Sequence, residues 1–424
     1  PAPVASESAR QPSGDASGAC WACVRTPAAW LEGRVDWRTD LAPSTGRLAP
    51  TPPLGETWVG LLGYDLGRVI EPRAGAPTRR SPEASAWPPA LWGQVKAPRL
   101  EPLGSPLRSL GLPPVATFAL GPLRSTTGRS RYVRDVRRVI DYLFAGDAYQ
   151  VNLAHELRGT FSGSTRALAA DLFGRVQPRH GAYLELPGEG GRRRAVVSLS
   201  PELFLEVEPA SGPGAARRIR TRPMKGTRPL RASGMPGTVQ PSIAAADLWD
   251  SEKDQAELNM IIDLMRNDLS RVCALPSVRV ARSRDVEDHG YVAQATGTVE
   301  GWLREGADLS AVLQATFPGG SVTGAPKIRA MQIIDELEPI ARGPYCGSIA
   351  LIRPGGTTSL NIAIRTLVIE GEAGAKPGEI ERGTISYSVG AGVTVASDPE
   401  AEWEETLDKA ALVLGLSGTR REDV

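Results

Sequence analysis

Apolar residues at Val133, Val136, Ile140, Leu143 and Phe144 recur three and four apart after Ser130, which predicts an amphipathic helix ending at Gly146. The period then changes. From Tyr149 to Leu157 (YQVNLAHEL), Val151, Leu153 and Leu157 fall on one side and Gln150, Asn152 and Glu156 on the other, predicting a strand that presents polar groups on one face. Trp58 to Leu66 (WVGLLGYDL) reads as a buried strand, and further strands are predicted over 195–208, 345–352, 359–369 and 384–395. Helical spacing returns over 248–272, 309–316, 326–337 and 400–414. Strand runs with helices at irregular intervals predict an α+β fold, with helices packed outside large antiparallel sheets, rather than a regular βαβ series. No internal repeat is visible at solenoid periods.

The ends and one internal stretch lack such patterns. Residues 1–19 are small, polar and proline-bearing, which predicts disorder or a linker, and the chain opens on Pro rather than Met. Processing, or excision from a longer polypeptide with a fused upstream domain, would explain that start. Residues 72–114 carry ten prolines in 43 positions and are expected to be mostly irregular. The expected division is therefore a tail over 1–19, an N-terminal sheet region over 20–128, a main body over 129–416 and a short C-terminal tail over 417–424.

Composition narrows the function. At 424 residues and 41% apolar the chain has ample material for a large core, so bulk disorder is excluded. Forty-nine basic residues balance 48 acidic ones and the signs are interspersed, so nothing marks a nucleic-acid surface. Apolar runs fall far short of the roughly 20 residues a membrane span needs. A cytoplasmic protein with a small-molecule or protein partner is expected. Three His and four Cys, of which only Cys20 and Cys23 are neighbours, cannot build a zinc cluster, so any metal must be held by carboxylates, as Mg²⁺ or Mn²⁺ are.

Candidate chemistry sits in a few segments. Asp254 with Glu257, and Glu402 with Glu405, stand three apart on two predicted helices, which puts each pair on one helix face. Two such helices across a cleft could offer oxygen ligands to Mg²⁺; each pair alone would equally suit a solvated face. FPGGSVTGAPK (Phe317–Lys327) is a Gly-rich approach to a helix, with Thr323 as its candidate cap, and could bind an anion or simply turn. It lacks the Lys-Ser/Thr of a nucleotide loop. GAGVTVASDPE, from Gly390, has the same ambiguity. Only six Lys accompany 43 Arg, and Lys225 in RPMKGTRP is the best candidate for an amine that loses its proton and attacks carbon; a contact to phosphate or carboxylate is the alternative.

GYDLGR, YQVNLAHEL, SPELFLEVE, RPMKGTRP, DLMRNDL, FPGGSVTGAPK, IDELEP, IAIRT and GAGVTVASDPEAEWEET are collinear from about Trp58 to Leu416. In that order they resemble the chorismate-utilising enzymes, which include anthranilate and aminodeoxychorismate synthases (component I) and isochorismate and salicylate synthases. The resemblance implies two stacked antiparallel sheets with helices outside, an active site in the cleft between subdomains, and a chorismate-binding catalytic region over 129–416. It implies Mg²⁺ on Glu257 and Glu405 with Asp254 and Glu402 in support, and Glu202 as general acid. Arg365 and Tyr345 would bind the enolpyruvyl carboxylate along with Gly390, and Thr227 and Thr323 would line the pocket.

The branch is implied by single positions. Gln150 stands where the water-adding members resemble each other in a Lys base, and Gln cannot deprotonate water. Lys225 stands where anthranilate-type enzymes have Ala, which implies the para-aminating branch with a covalent lysine intermediate. Gln294 replaces a His tied to pyruvate loss. An ortho-aminating enzyme and a catalytically silent binding homologue are the alternatives. Ammonia is implied as co-substrate, and since no glutaminase motif surrounds any Cys, a separate or excised glutamine amidotransferase is implied as its source.

Overall fold

The computed structural model describes residues 20–38, 48–49, 55–75, 87–103, 117–188, 190–212, 214–229, 241–288 and 292–424; the expectation for 1–19 lies outside them. In chain order the N-terminal part forms β1 (Cys20–Arg25), β2 (Trp30–Arg38), β3 (Thr57–Leu62), α1 (Leu66–Ile70), β4 (Ala90–Glu101), β5 (Phe118–Leu120) and β6 (Arg124–Ser125). Then follow α2 (Arg129–Phe144), β7 (Gln150–Ser164), α3 (Thr165–Val176), β8 (Ala182–Pro187), β9 (Arg192–Ser198), β10 (Leu203–Val207), β11 (Arg218–Arg222) and β12 (Met224–Pro229). Next are α4 (Pro241–Asp250), α5 (Glu252–Ser270), β13 (Arg279–Asp288), β14 (Val292–Trp302), α6 (Leu309–Thr316), β15 (Gly324–Ala325) and α7 (Lys327–Leu337). The chain ends with β16 (Ser348–Ile352), β17 (Thr358–Asn361), β18 (Thr366–Ala373), β19 (Glu379–Val393) and α8 (Pro399–Ser417).

Fifteen of the strands form one antiparallel ribbon in the order β13, β14, β11, β10, β17, β16, β3, β4, β2, β1, β8, β9, β18, β19, β7, with β12 also paired to β14 and β5, β6 and β15 to β7. The ribbon folds back on itself. Val59 and Ile349 of one half share a core with Leu184 and Val196 of the other, with strand side chains alone between them, so two sheet layers lie face to face. Helices cover the outside: α5 and α6 pack on β14 and β10, and α2, α7 and α8 on the apolar face of β7. The α+β expectation holds.

Several boundaries differ from the sequence reading: the strand expected from Trp58 to Leu66 ends at Leu62 and Leu66 opens α1, and the strand expected over 345–352 begins only at Ser348. The helix expected over 248–272 breaks at Ser251, whose hydroxyl accepts from Asp254 N–H and starts α5 afresh. The strand expected over 195–208 is interrupted by the Ser-Pro-Glu turn, and that over 359–369 by Ile362–Arg365. Within the proline-rich 72–114, the twelve-residue β4 pairs with both β2 and β3. A register slip opposite Glu32–Arg34 leaves Pro98 outside the ladder, so its missing N–H costs nothing there.

Candidate active site

Lys225 enters the site through an irregularity in β12. Met224 and Lys225 stand opposite Thr296 and Ala295 of β14, but the register slips before Thr227, which stands opposite Gln294. Gly226 fills the slip at φ +68°, a left-handed conformation that glycine adopts freely, and a Cβ there would lie 2.8 Å from the Asp254 carboxyl carbon. The bulge thus presses the Lys225 turn onto the first turn of α5. The Lys225 amine ends 3.8 Å from the Glu257 carboxylate. Burial pulls its ammonium pKa down; Glu257 works against that fall and Lys409 adds to it.

Glu202 projects from the Ser-Pro-Glu turn. Ser200 Oγ accepts from Glu202 N–H at 3.2 Å and donates to the Ile362 carbonyl at 2.6 Å, while Ile362 N–H donates back to the Glu202 carbonyl at 3.1 Å. These bonds stitch the turn to 362–365, where Arg365 sits at φ +50° and its carbonyl accepts from Leu199 N–H. A left-handed arginine costs on the order of 1 kcal/mol or more, a strain typical of functional positions. Among the described residues no carboxylate pairs with the Arg365 guanidinium, and burial holds its pKa below the ordinary range. The Glu202 carboxyl, 3% exposed, is lifted by burial to a pKa of about 7, although the Ser321 hydroxyl donates to it at 2.6 Å and the Lys225 charge favours its ionised form.

Gln150 opens β7 and is fully buried, and neither atom of its carboxamide has a hydrogen-bond partner. Space for it comes from β19. A Cβ on Gly392 would lie 2.4 Å from Gln150 Nε2 and 2.8 Å from Lys225 Nζ, so the two polar heads meet over a bare patch of backbone. The Gly390 carbonyl accepts from Lys409 Nζ at 2.7 Å, and the same amine pairs with Glu405 at 2.7 Å.

The four helix carboxylates face this region from two sides. α5 carries Asp254 and Glu257, and α8 carries Glu402 and Glu405. Glu402 is buried with its Oε2 unpartnered, and burial together with the Glu405 charge raises its pKa. Partial desolvation pushes the Glu405 carboxyl up, but Lys409, Lys225 and Lys253 outweigh it and hold the pKa below the usual range. Among the described residues no three acidic, His or Cys side chains are gathered tightly enough to close a metal site by themselves.

Other expected site residues are placed differently. The Thr323 hydroxyl donates to the Gly319 carbonyl at 3.0 Å, shaping its own loop instead of capping α7, whose N-cap is Pro326 with no side-chain bond. Tyr345 is buried beside Cys346 and the Glu338–Arg342 pair, in the layer adjoining Glu202. Gln294 is buried on β14; the Thr227 side chain lies outside the described residues. Sequence reasoning missed Ser321, Gly392 and Lys409. Only Gly392 left a signal, since Gly390 and Gly392 alternate on one strand face and leave it bare.

The fold defines a class already seen in solved structures. The chain superimposes on anthranilate synthase component I from Streptococcus pneumoniae with a TM-score of 0.68 at 22% identity, covering 97% of this chain and 95% of that one. A structure described as a putative 2,3-dihydroxybenzoate-specific isochorismate synthase from Bacillus anthracis gives 0.68 at 19% identity, covering 94% and 96%. More particularly, the chain belongs to the chorismate binding enzymes, whose family model matches residues 28–415. It is similar to aminodeoxychorismate synthase component 1 of Escherichia coli, 39% identical over 69% of this chain and 58% of that protein, and of Klebsiella aerogenes, 36% over 84% and 76%. It is also 40% identical to an anthranilate synthase component 1 of Haloarcula marismortui, over 70% of this chain and 55% of that one. The chain thus spans little more than half the length of several relatives. No helix among the described residues is long and apolar enough to cross a membrane.

Proposed function

We propose that this chain is the chorismate-aminating component of an aminodeoxychorismate synthase, with its chemistry in 129–416 and ammonia supplied by a glutamine amidotransferase. Overall similarity does not separate para from ortho amination, because relatives of both names match at 39% and 40% identity. One observation carries the choice: a buried lysine whose amine is driven toward its neutral form stands electrostatically coupled to a buried glutamate that keeps its proton to about pH 7.

The two groups are suited to one displacement. Neutral Lys225 Nζ forms a bond to C2 of chorismate, both ring double bonds shift (C1=C2 to C1=C6 and C5=C6 to C4=C5), and the C4–O bond breaks as Glu202 delivers its proton, releasing water. Ammonia then bonds to C4, both ring double bonds shift back and the C2–N bond to Lys225 breaks, with one ammonia proton returning to Glu202. The enolpyruvyl group is retained. Arg365, half-buried and without a carboxylate partner among the described residues, is suited to a substrate carboxylate.

Members of the family generally use Mg²⁺, and the residues fit such an ion: all four donors are carboxylates, and Glu402 Oε2 is buried without a partner. Asp254, Glu257, Glu402 and Glu405 would hold it, with substrate and water oxygens completing the shell. Bound there, the ion would neutralise the ring carboxylate.

The test is to give the protein chorismate and Mg²⁺ without ammonia. Intact mass should rise by chorismate less one water, on the peptide holding Lys225, and added ammonium should yield 4-amino-4-deoxychorismate. Absence of the adduct, with near-normal turnover by Lys225→Ala, would return direct attack by ammonia to first place; anthranilate as product would establish the ortho route.

A further inference from the structure

His155 takes no part in the chemistry proposed above, yet both its ring nitrogens are engaged. By the alternation of β7 it falls on the apolar face with Val151 and Leu153, and it is 4% exposed. Its ring stacks on Trp403 of α8, with centroids 4.7 Å apart and planes at 23°, and meets Tyr132 of α2 edge-on at 4.9 Å. Nε2 lies 2.9 Å from Thr406 Oγ and Nδ1 lies 3.1 Å from Ser125 Oγ.

The protons along this path can be placed one at a time. The Thr406 hydroxyl donates to the Trp403 carbonyl at 2.7 Å, which leaves its oxygen to accept from Nε2–H. The Ser125 oxygen accepts from Gly128 N–H at 3.0 Å, which leaves its own proton for Nδ1. One neutral tautomer, protonated on Nε2, satisfies every bond. Burial agrees, pushing the imidazole pKa down to about 3. The ring therefore does not carry protons near neutral pH; it supplies direction. Apolar packing tolerates a small rotation of a helix about its axis, whereas a hydrogen bond from a fixed ring to one hydroxyl does not. Thr406 is next to Glu405 and one helical turn from Glu402, so whatever locks Thr406 locks both carboxylates.

We propose that His155 is a positioning residue, which through Thr406 and Trp403 sets the rotation of α8 and so the aim of Glu402 and Glu405 into the site. This rests on the reading of those carboxylates as cation ligands. The device resembles the outer-shell partners of metal ligands, one step removed and built on the scaffold face of the strand.

Thr406→Val keeps the side-chain shape and removes the acceptor. In the full chain three quantities are measured: Mn²⁺ affinity by electron paramagnetic resonance without substrate, kcat/KM for chorismate with Mg²⁺, and Tm. Thr406→Val is expected to weaken Mn²⁺ binding by about tenfold and to lower kcat/KM by at least as much. Thr406→Ser, which keeps the hydroxyl, should stay close to wild type in both. His155→Phe, which keeps the stack but has no ring nitrogen, should reproduce Thr406→Val, and the double variant should be no worse than either. Val413→Ala, in the buried face of the same helix, should lower Tm without changing Mn²⁺ affinity. Wild-type kcat/KM in Thr406→Val would overturn the proposal, as would Mn²⁺ binding weakened equally by Val413→Ala at a matched loss of Tm. Glu405→Gln separates the two readings: if it binds Mn²⁺ as wild type does, the cation reading falls, and positioning is decided by the kcat/KM of Thr406→Val against Thr406→Ser.

Discussion

Lys225 and Lys327 are almost equally withdrawn from water, with side chains 11% and 15% exposed, and their surroundings could hardly differ more. Lys327, at the start of α7, donates to Asp268 at 2.5 Å and to the Thr316 carbonyl at 2.7 Å, tying α7 to the ends of α5 and α6. Lys225 comes no nearer than 3.8 Å to the Glu257 carboxylate and shares its chamber with Gln150, whose carboxamide is unpartnered. A buried charge with its bonds made is a joint; a buried amine with them unmade is held ready for something else. The same contrast separates the two faces of β7, where Gln150 waits on one side and His155 is fully bonded on the other.

Removing the unsatisfied amine should do most harm to turnover. Lys225→Arg keeps the charge but is always protonated, and should cut kcat/KM by at least about 10⁴-fold while leaving Tm near wild type. Loss of fold in place of activity would make Lys225 a joint like Lys327.

Glu202→Gln cannot donate a proton and should lower kcat/KM by roughly 10²–10⁴-fold. Its pH behaviour sharpens the point. Folding raises the Glu202 pKa to about 7, so the native state holds a proton that the unfolded state releases, and native stability declines as pH rises from the unfolded value through about 7. The full cost is about 3 kcal/mol above that range, estimated from the shift. Tm of the wild type, relative to Glu202→Gln, should therefore fall between pH 5 and pH 8; parallel Tm curves would remove the raised pKa.

Gly392→Ala places a methyl group against both Gln150 and Lys225 and should cost roughly 10²-fold in kcat/KM, the usual effect of misplacing a reacting group by about an ångström. Adduct formation measured by mass spectrometry should slow in proportion. Lys327→Met should have the smallest effect on turnover and a clear effect on stability, about 3 kcal/mol by denaturant titration, because it strands the buried Asp268. Turnover loss on the scale of Lys225→Arg would erase the comparison.

Much of this was legible along the chain. Helical spacing located α2, α6, α7 and α8, and alternation in YQVNLAHEL separated the face of Gln150 from that of Val151. Those features survive because they depend on neighbours three, four or two residues away, which any sheet or bundle must respect. Proline counting hid β4, because the strand tolerates Pro98 only through a slip against β2 that no local pattern records.

The sequence by itself determined the residue types and their order: a rare lysine in RPMKGTRP, acidic pairs three apart on two helices, a Ser-Pro-Glu turn and a bare glycine strand. It could not determine which of these groups would be left unsatisfied. Asp268 and Glu202 are both buried acids, and only the tertiary structure brings a lysine amine to one at bonding distance and a serine hydroxyl to the other. Burial and partner distance arise from segments far apart in the chain: Ser321 meets Glu202 across 119 residues, and Thr406 meets His155 across 251. Charge state, and with it chemistry, depends on those distances, which is why the sequence could nominate Lys225 but only the surrounding fold sets the burial and the 3.8 Å separation from Glu257 that its amine experiences.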